Sequence, residues 1–297
     1  MAFTGLEDLI ISESGEDGYF VVGLVDVLGQ RTQLLGYEDT PPTGLENREK
    51  LEALRSNTLV PVRQFRKDFY EQFRSYEQYN AKSPLNCIKG PVGELIESID
   101  SEPIGVHPFS DLVALSLSLR SDRKRVPMAG VFMMTAALGM ASLCSLYRGF
   151  PVRGGIELDV AWSFNKHESR TEIYGPALAK AYYLESKKAE YPRIVVGSNF
   201  LRYIELNMKL PEKNNPNRQY AEFVSNLLIR DDDSQVVINP LSTWYRGQRN
   251  VDNFQKMFER CLAVAEGKFS EFSCRGDSKL MDRYSRLILF LKKNWTA

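Results

Sequence analysis

Histidine and cysteine are scarce in this chain, which has 297 residues but only two His and four Cys. The cysteines stand apart at Cys87, Cys144, Cys261 and Cys274, and no pair has the Cys-x-x-Cys spacing of a zinc or redox motif. With so few histidines available, we expect no His/Cys zinc site. Four unpatterned cysteines in a chain of this length are typical of a reducing compartment, so a cytoplasmic protein is expected.

An excess of either charge is also absent, since 38 basic residues balance 38 acidic ones. The net charge of the chain therefore does not favour binding to nucleic acid or to an acidic membrane, and neither partner is expected. The first 18 residues lack a basic segment followed by an apolar one, so we expect no signal peptide. The hydrophobic share of 43% with 26% charged residues excludes wholesale disorder and predicts a globular protein with a sizeable core.

Long hydrophobic runs are limited to one segment, Ala129 to Tyr147, which carries no charge over 19 residues. That length is sufficient to cross a bilayer. However, Ala, Gly, Ser, Thr and Met dominate its composition, and basic residues flank both ends without an orientation bias. We therefore predict a buried helix whose small residues permit close packing, in a protein that does not enter a membrane.

The order of predicted elements favours a mixed antiparallel sheet with helices packed on it, because a hairpin interrupts the alternation of strands and helices. A core over about 19–240 and a C-terminal helical extension over about 241–297 are expected. Strands are predicted over 19–28, on both sides of a turn at 108–111, over 151–162 and 193–196, and as a hairpin at 223–229 and 236–238. Helices are predicted over 45–79 (divided at Pro61), 129–147, 175–189, 251–265 and 277–293.

Two aspartates stand out against their apolar surroundings. Asp26 is the sole charge in the run from Tyr19 to Gly29, and Asp111 begins an alternating strand. A buried carboxylate must be exposed, paired or metal-bound, and a structural turn or capping role remains open for each residue taken alone. Strands of one sheet can place two such carboxylates side by side, which would suit Mg²⁺ or Mn²⁺ and a phosphate-bearing substrate.

Two further segments are candidates for chemistry or assembly. Arg153 begins a strand beside Gly154 and Gly155, where its guanidinium would bind a phosphate or, alternatively, form an ion pair at the edge of a sheet. A Gly175-Pro176 pair then opens a helix with a small-residue face. That face permits close packing of another element. The element belongs either to a partner chain or, more simply, to the same chain.

Taken in this order, the motifs resemble the class III nucleotidyl cyclase superfamily and, within it, the bacterial pyrimidine cyclases of the Pycsar antiphage system. The resemblance covers about 19–196. It is carried by Leu24-Val25-Asp26-Val27-Leu28-Gly29, Phe109-Ser110-Asp111, Val152-Arg153-Gly154-Gly155-Ile156, Ile173-Tyr174-Gly175-Pro176-Ala177-Leu178, Ala181-Tyr182, Leu184-Glu185 and Tyr191-Pro192-Arg193-Ile194-Val195-Val196.

The resemblance implies an α+β fold with a ferredoxin-like βαββαβ core in a single cyclase domain spanning 1–297. It implies a head-to-tail homodimer with composite active sites between the protomers. It also implies that Asp26 and Asp111, helped by the carbonyl of Val27, hold two Mn²⁺ or Mg²⁺ ions, and that Arg153 binds the triphosphate. In the implied reaction the ribose 3′-hydroxyl attacks the α-phosphate, releasing diphosphate and a 3′,5′-cyclic nucleotide.

The chain also departs from the superfamily pattern. Purine-specific members carry an Asn and an Arg on the interface helix, whereas Ala179 and Tyr183 occupy the matching positions here. Another basic residue would then serve the phosphates, and Arg230 is the candidate. The residues that read the base are not assigned, and aromatics such as Phe65, Phe69 and Tyr70 are expected to be core residues rather than pocket walls.

The resemblance therefore implies a uridylate cyclase that converts UTP to cyclic UMP, a second messenger in antiphage defence (abortive infection) that acts on a separate effector protein. Conversion of CTP to cyclic CMP by the same mechanism is one alternative. The other is a catalytically silent, cyclase-like dimer that binds nucleotide.

Overall fold

The computed structural model describes residues 15–35, 45–81, 104–109, 111–119, 126–166, 170–247 and 251–296. Within these ranges, eight strands form one sheet in the order β2-β3-β1-β4-β6-β8-β7, with β5 paired to β4. Only the β4–β6 pair among them is parallel. The strands are β1 (Gly15–Val27), β2 (Gly105–Phe109), β3 (Leu112–Ser118), β4 (Val152–Lys166), β5 (Arg170–Tyr174), β6 (Ile194–Val196), β7 (Leu228–Arg230) and β8 (Val236–Ile238).

Helices connect most of these strands and extend the chain beyond the sheet. They are α1 (Gln30–Leu35), α2 (Leu45–Asn57), α3 (Leu59–Ala81), α4 (Pro127–Tyr147), α5 (Pro176–Tyr183), α6 (Ser198–Met208), α7 (Pro216–Asn226), α8 (Thr243–Gly247), α9 (Val251–Arg275) and α10 (Ser278–Thr296). Helix α5 continues directly into a π-helical turn, Leu184–Lys188.

The first four strands form a ferredoxin-like βαββαβ unit. They lie in the order β2-β3-β1-β4, with antiparallel neighbours throughout. Helices lie between β1 and β2 and between β3 and β4 in the chain, so two β-α-β segments interlock around the central strands. The predicted α+β fold, with a mixed antiparallel sheet and packed helices, is therefore confirmed by the strand order itself.

Strand β1 is central because both of its faces are apolar. Phe20, Val22 and Leu24 belong to one buried cluster, and Val21 and Val25 belong to the other. Successive side chains of a strand point to opposite faces, so a continuous apolar run suits a strand that is covered on both sides. Asp26 interrupts this run close to the end of the strand.

Helix α4 is the apolar segment that the sequence singled out, and it is a core helix. It is long and apolar enough to cross a membrane, but 17 of its 21 residues are buried within the protein. Tyr245 reaches it through a hydrogen bond of 3.0 Å from the hydroxyl to the carbonyl of Ala136. The small residues of this helix thus admit neighbouring elements at close range, as predicted.

Helix α5 also packs within its own chain. Ala177 and Ala181 are fully buried in the cluster that contains Phe20 and Leu24 of β1. The small-residue face therefore covers the sheet of the same protomer. The surface that α5 leaves to solvent carries Tyr182 and Tyr183 instead.

Two sequence-based boundaries are wrong. Pro61 does not divide the predicted helix, because the break lies at Thr58 and Pro61 falls in the first turn of α3, where a missing N–H breaks no hydrogen bond. Residues 223–226 belong to α7 rather than to a strand. The Asn215 side chain caps that helix by accepting from the N–H of Asn217 at 3.0 Å, a start that the Asn-Pro pair could have indicated.

The C-terminal extension is a helical hairpin formed by α9 and α10. Gly276 ends α9 with a φ of 70°, and Asp277 caps α10 by accepting from the N–H of Leu280 at 3.0 Å. Helix α9 packs on α4, and the thiol of Cys261 lies 3.6 Å from the carbonyl oxygen of Leu143. This packing places the tip of the hairpin at one end of the sheet.

Candidate active site

A cavity of about 710 Å³ lies between the end of β1, the start of β4 and the tip of the α9–α10 hairpin. Its volume falls within the roughly 300–1,000 Å³ that small-ligand sites occupy. Four residues singled out by the sequence line it together: Asp26, Val27, Asp111 and Arg153. The strand order explains this grouping, because β1 lies between β3 and β4 in the sheet.

Asp26 is paired within the sheet rather than isolated. It lies opposite Leu112 of β3 and opposite Arg153 of β4. Residues directly opposite each other in an antiparallel pair share a face, so the carboxylate and the guanidinium meet. Asp26 Oδ2 is 3.5 Å from Arg153 Nη2, and the Asp26 side chain is only 16% exposed.

Arg153 also binds a second carboxylate, which sequence analysis did not assign to the site. Glu185, in the π-helical turn, places Oε1 2.6 Å from Arg153 Nε and is 2% exposed. The guanidinium thus links two acidic side chains that come from β1 and from the turn after α5. Arg153 is therefore held between two carboxylates by ion pairs.

Asp111 completes the acidic side of the cavity from the turn between β2 and β3. Its carbonyl oxygen lies 3.4 Å from the N–H of Val27, which joins the turn to the end of β1. Its carboxylate is close enough to raise the pKa of both Asp26 and Glu185. Asp111 is thus a third carboxylate beside the two that pair with Arg153.

The pKa of Asp26 is raised from 3.8 to about 7, chiefly because burial disfavours its charged form. Arg153 opposes this shift, whereas the charges of Glu185 and Asp111 add to it. Burial likewise raises the pKa of Glu185 against the opposing effect of Arg153. One guanidinium therefore does not fully compensate the acidic groups around it.

The donor chemistry of this site fits a divalent metal. The parts of the chain that the structure describes contain no group of three or more His, Cys, Asp or Glu arranged to hold an ion. Asp26 and Asp111 nevertheless supply two carboxylates, and Val27 supplies a carbonyl, all hard oxygen donors of the kind that Mg²⁺ and Mn²⁺ prefer. A cation there would offset the repulsion that raises the pKa of Asp26.

The paired glycines after Arg153 serve packing rather than approach of a phosphate. A Cβ added to Gly154 would lie 2.6 Å from the carbonyl oxygen of Leu24 on β1. One added to Gly155 would meet the carbonyl oxygen of Ala181 and lie 2.9 Å from the backbone nitrogen of Glu185. Gly155 therefore lets the π-helical turn approach β4 closely enough for Glu185 to reach Arg153.

The other predicted site residues lie elsewhere in the protomer. Arg230 ends β7 on the surface, and its Nη1 donates to the carbonyl of Ser234 at 2.9 Å; it does not line the cavity. Phe65 and Phe69 are core residues, as expected, and Tyr70 is 40% exposed. Ala179 and Tyr183, which replace the Asn and Arg of purine cyclases, are exposed and also lie outside the cavity.

Comparison with known proteins assigns no family to this chain. No family model matches the chain, and no curated protein matches it. Among solved structures, the guanylyl cyclase Cya2 is similar with a TM-score of 0.32 and 10% identity, over 75% of this chain and 92% of that one. An overlap of this size carries no argument about function, which rests here on the geometry of the site.

Gly155→Ala is expected to lower the free energy of unfolding by about 1–3 kcal/mol, because backbone must move to admit the methyl group. Gly267→Ala is the matched control. Gly267 lies within α9 with no heavy atom near an added Cβ, so alanine there should raise stability by about 0.5–1 kcal/mol. Urea unfolding of both variants measures the difference, and equal effects would contradict the close approach at Gly155.

Asp26→Asn is expected to stabilise the metal-free protein at pH 8 but not near pH 4. The folded state holds the Asp26 proton up to a pKa of about 7, against 3.8 for an unperturbed carboxyl, so wild-type stability falls as pH rises between these values. The Asp26→Asn variant has no carboxyl to ionise, so it does not lose this free energy of unfolding, which amounts to at most about 4 kcal/mol. Urea unfolding at several pH values in EDTA provides the measurement.

Asp159→Asn is the control, with the opposite sign. Lys180 holds the pKa of Asp159 below its usual range, so that carboxylate stabilises the fold at neutral pH and the benefit is lost as pH falls. The Asp159→Asn variant should therefore be less stable than wild type at pH 8 and similar at low pH. If the Asp26→Asn variant showed this same behaviour, the charge of Asp26 would not destabilise the fold, and the raised pKa of Asp26 would be wrong.

Proposed function

We propose that the protein is a metal-dependent nucleotidyl cyclase of the class III type. The observation that carries this proposal is the convergence of Asp26, Asp111 and Arg153 on one cavity at the end of a ferredoxin-like sheet. The cavity has the volume of a small-ligand site and contains hard oxygen donors beside a fixed guanidinium. That combination suits a nucleoside triphosphate and its metal ions.

In the proposed reaction, the ribose 3′-oxygen forms a bond to the α-phosphorus while the bond from that phosphorus to the β-phosphate oxygen breaks. The hydroxyl proton passes to solvent and diphosphate leaves. Asp26, Asp111 and the Val27 carbonyl would hold two Mn²⁺ or Mg²⁺ ions. Such ions, when bound, lower the pKa of the hydroxyl and neutralise phosphate charge.

Arg153 would bind the phosphates from a position that its neighbours fix. Its ion pairs to Asp26 and Glu185 hold the guanidinium at the cavity wall. A preorganised cation needs little reorganisation when charge develops on the leaving group. Glu185 is therefore a positioning residue in this proposal and does not itself contact the substrate.

The proposed substrate is a pyrimidine nucleotide, UTP first and CTP second. The choice of a pyrimidine over a purine rests on the departures at Ala179 and Tyr183, where purine cyclases carry an Asn and an Arg on the interface helix, and the order of UTP before CTP rests on the resemblance alone. Both positions are exposed on one protomer and lie outside its own cavity. That placement supports a homodimer in which each protomer completes the active site of the other.

The proposed biological role follows from the product. A cyclic pyrimidine nucleotide would be a second messenger made in the cytoplasm during phage infection. It would act on a separate effector protein to bring about abortive infection.

A catalytically silent, nucleotide-binding dimer is the second candidate, and one observation favours it. Arg153 is engaged by both Asp26 and Glu185, so the acidic groups are partly neutralised without a metal. A protein that binds nucleotide without converting it would not require a metal at this site. Product formation separates the two candidates directly.

Incubating the purified protein with each of the four nucleoside triphosphates and Mn²⁺ is expected to give one dominant cyclic pyrimidine nucleotide, with at most traces of cyclic AMP or GMP. Mass spectrometry of the products identifies the base. A dominant purine product would overturn the assignment of the base but keep the cyclase. Tight nucleotide binding without any cyclic product would establish the silent alternative.

Asp26→Asn and Asp111→Asn are each expected to abolish cyclisation while leaving the fold intact, because each removes the charge of a metal ligand and little volume. Arg153→Ala should lower turnover with every nucleotide without changing the order of preference, since phosphates are common to all four. Circular dichroism controls for folding. Asp252→Asn, on the outer side of α9 and away from the cavity, is a matched carboxylate control that should keep full activity. Near-normal turnover by either site aspartate variant would contradict the two-metal assignment.

A further inference from the structure

One wall of the cavity is acidic because it contains Asp26 and Asp111. A second wall, formed by the C-terminal helical hairpin, is basic. Lys268 and Arg275 of α9 and Arg283 of α10 all line the cavity. The resemblance to nucleotidyl cyclases covers only about 19–196, so nothing in those motifs assigns a role to these residues. We define the three residues as the hairpin cations.

The hairpin cations exceed the carboxylates on the same wall. Glu271 is shared by Lys268 at 2.9 Å and Arg275 at 2.8 Å, so one carboxylate serves two cations. Asp277 is engaged in capping α10. Among the residues that the structure describes, no carboxylate pairs with Arg283. The wall therefore has a net positive charge and one half-buried guanidinium available for an anion.

The cavity is consequently polarised. Asp26 and Asp111 lie on the side formed by the sheet, and the hairpin cations lie on the side formed by α9 and α10. A ligand that suits both sides has a metal-binding group at one end and further negative charge at the other. A polyphosphate chain has this character, whereas a nucleoside without phosphates does not.

Gln30 gives an independent indication that the cavity binds a polar ligand. It lines the cavity, is 2% exposed, and its Oε1 has no hydrogen-bond partner in the described parts of the chain. A buried acceptor without a donor is destabilising, and natural structures satisfy nearly all such groups. A ligand hydroxyl or N–H group in the cavity would supply the donor.

We propose that the hairpin cations form the binding site for the β- and γ-phosphates of the substrate, and hence for the leaving diphosphate, within the same protomer. This inference rests on the proposed function for the identity of the substrate, but the charge arrangement predicts polyphosphate binding by itself. Arg283 is the principal contact because it has no competing carboxylate. Lys268 and Arg275 share Glu271 and so contribute less each.

The test measures binding of inorganic tripolyphosphate to the full-length protein by calorimetry in EDTA, so that no metal takes part. Arg283→Ala should weaken binding by about 10-fold or more, the effect of losing one charge-assisted hydrogen bond. Lys279→Ala is the matched control, because Lys279 is an exposed cation in the same hairpin that does not line the cavity. It should change the affinity by less than about twofold.

The same variants are then assayed with the preferred nucleotide. Arg283→Ala should raise KM and weaken inhibition by diphosphate, each by about 10-fold, with a smaller effect on kcat. If Arg283→Ala and Lys279→Ala behave alike in the binding assay, the hairpin site is wrong whatever the protein catalyses. If tripolyphosphate binding depends on Arg283 but no nucleotide is cyclised, the hairpin site stands and the proposed cyclase function fails.

Discussion

The bridge from Asp26 through Arg153 to Glu185 is the interaction on which the candidate site depends. It joins the central strand, its antiparallel neighbour and the π-helical turn, so three separate segments are held at one point. The bridge is not fully compensated, since Asp26 and Glu185 share one guanidinium, and burial together with the nearby Asp111 raises the pKa of both carboxyls. A bound cation would therefore offset the uncompensated negative charge of the site.

The sheet topology explains why this unfavourable charge arrangement is tolerated. Strand β1 is covered on both faces and hydrogen-bonded on both edges, so its apolar residues bind it strongly to the core. Asp26 lies at its end, where the cost of burying one carboxylate is small beside the burial of the rest of the strand. Active sites commonly store unfavourable interactions of this kind on rigid elements.

The sequence predicted the parts of the site that break a local pattern. Asp26 was found because it is a charge within an apolar run, and Asp111 because it begins an alternating strand. Glu185 breaks no pattern, since a glutamate in a helix is ordinary, and its burial arises from the close approach that Gly155 permits. The same limit explains why the strand predicted at 223–229 begins too early, because Phe223 and Val224 belong to α7 and the strand itself is Leu228–Arg230.

The two sides of the cavity come from separate parts of the chain, and this couples the site to the docking of the C-terminal hairpin. Phe258 and Trp295 join the two hairpin helices, with ring centroids 4.2 Å apart, and the hairpin is docked by Arg246, which donates to the carbonyl of Trp295 at 3.2 Å, and by the packing of Cys261 against Leu143. None of these residues lines the cavity. The hairpin cations lie in the same cavity as Asp26 and Asp111 only when this packing is formed. The packing of these two helices therefore determines whether the cavity presents both charges to a ligand, because the ferredoxin-like sheet alone would supply only the acidic side.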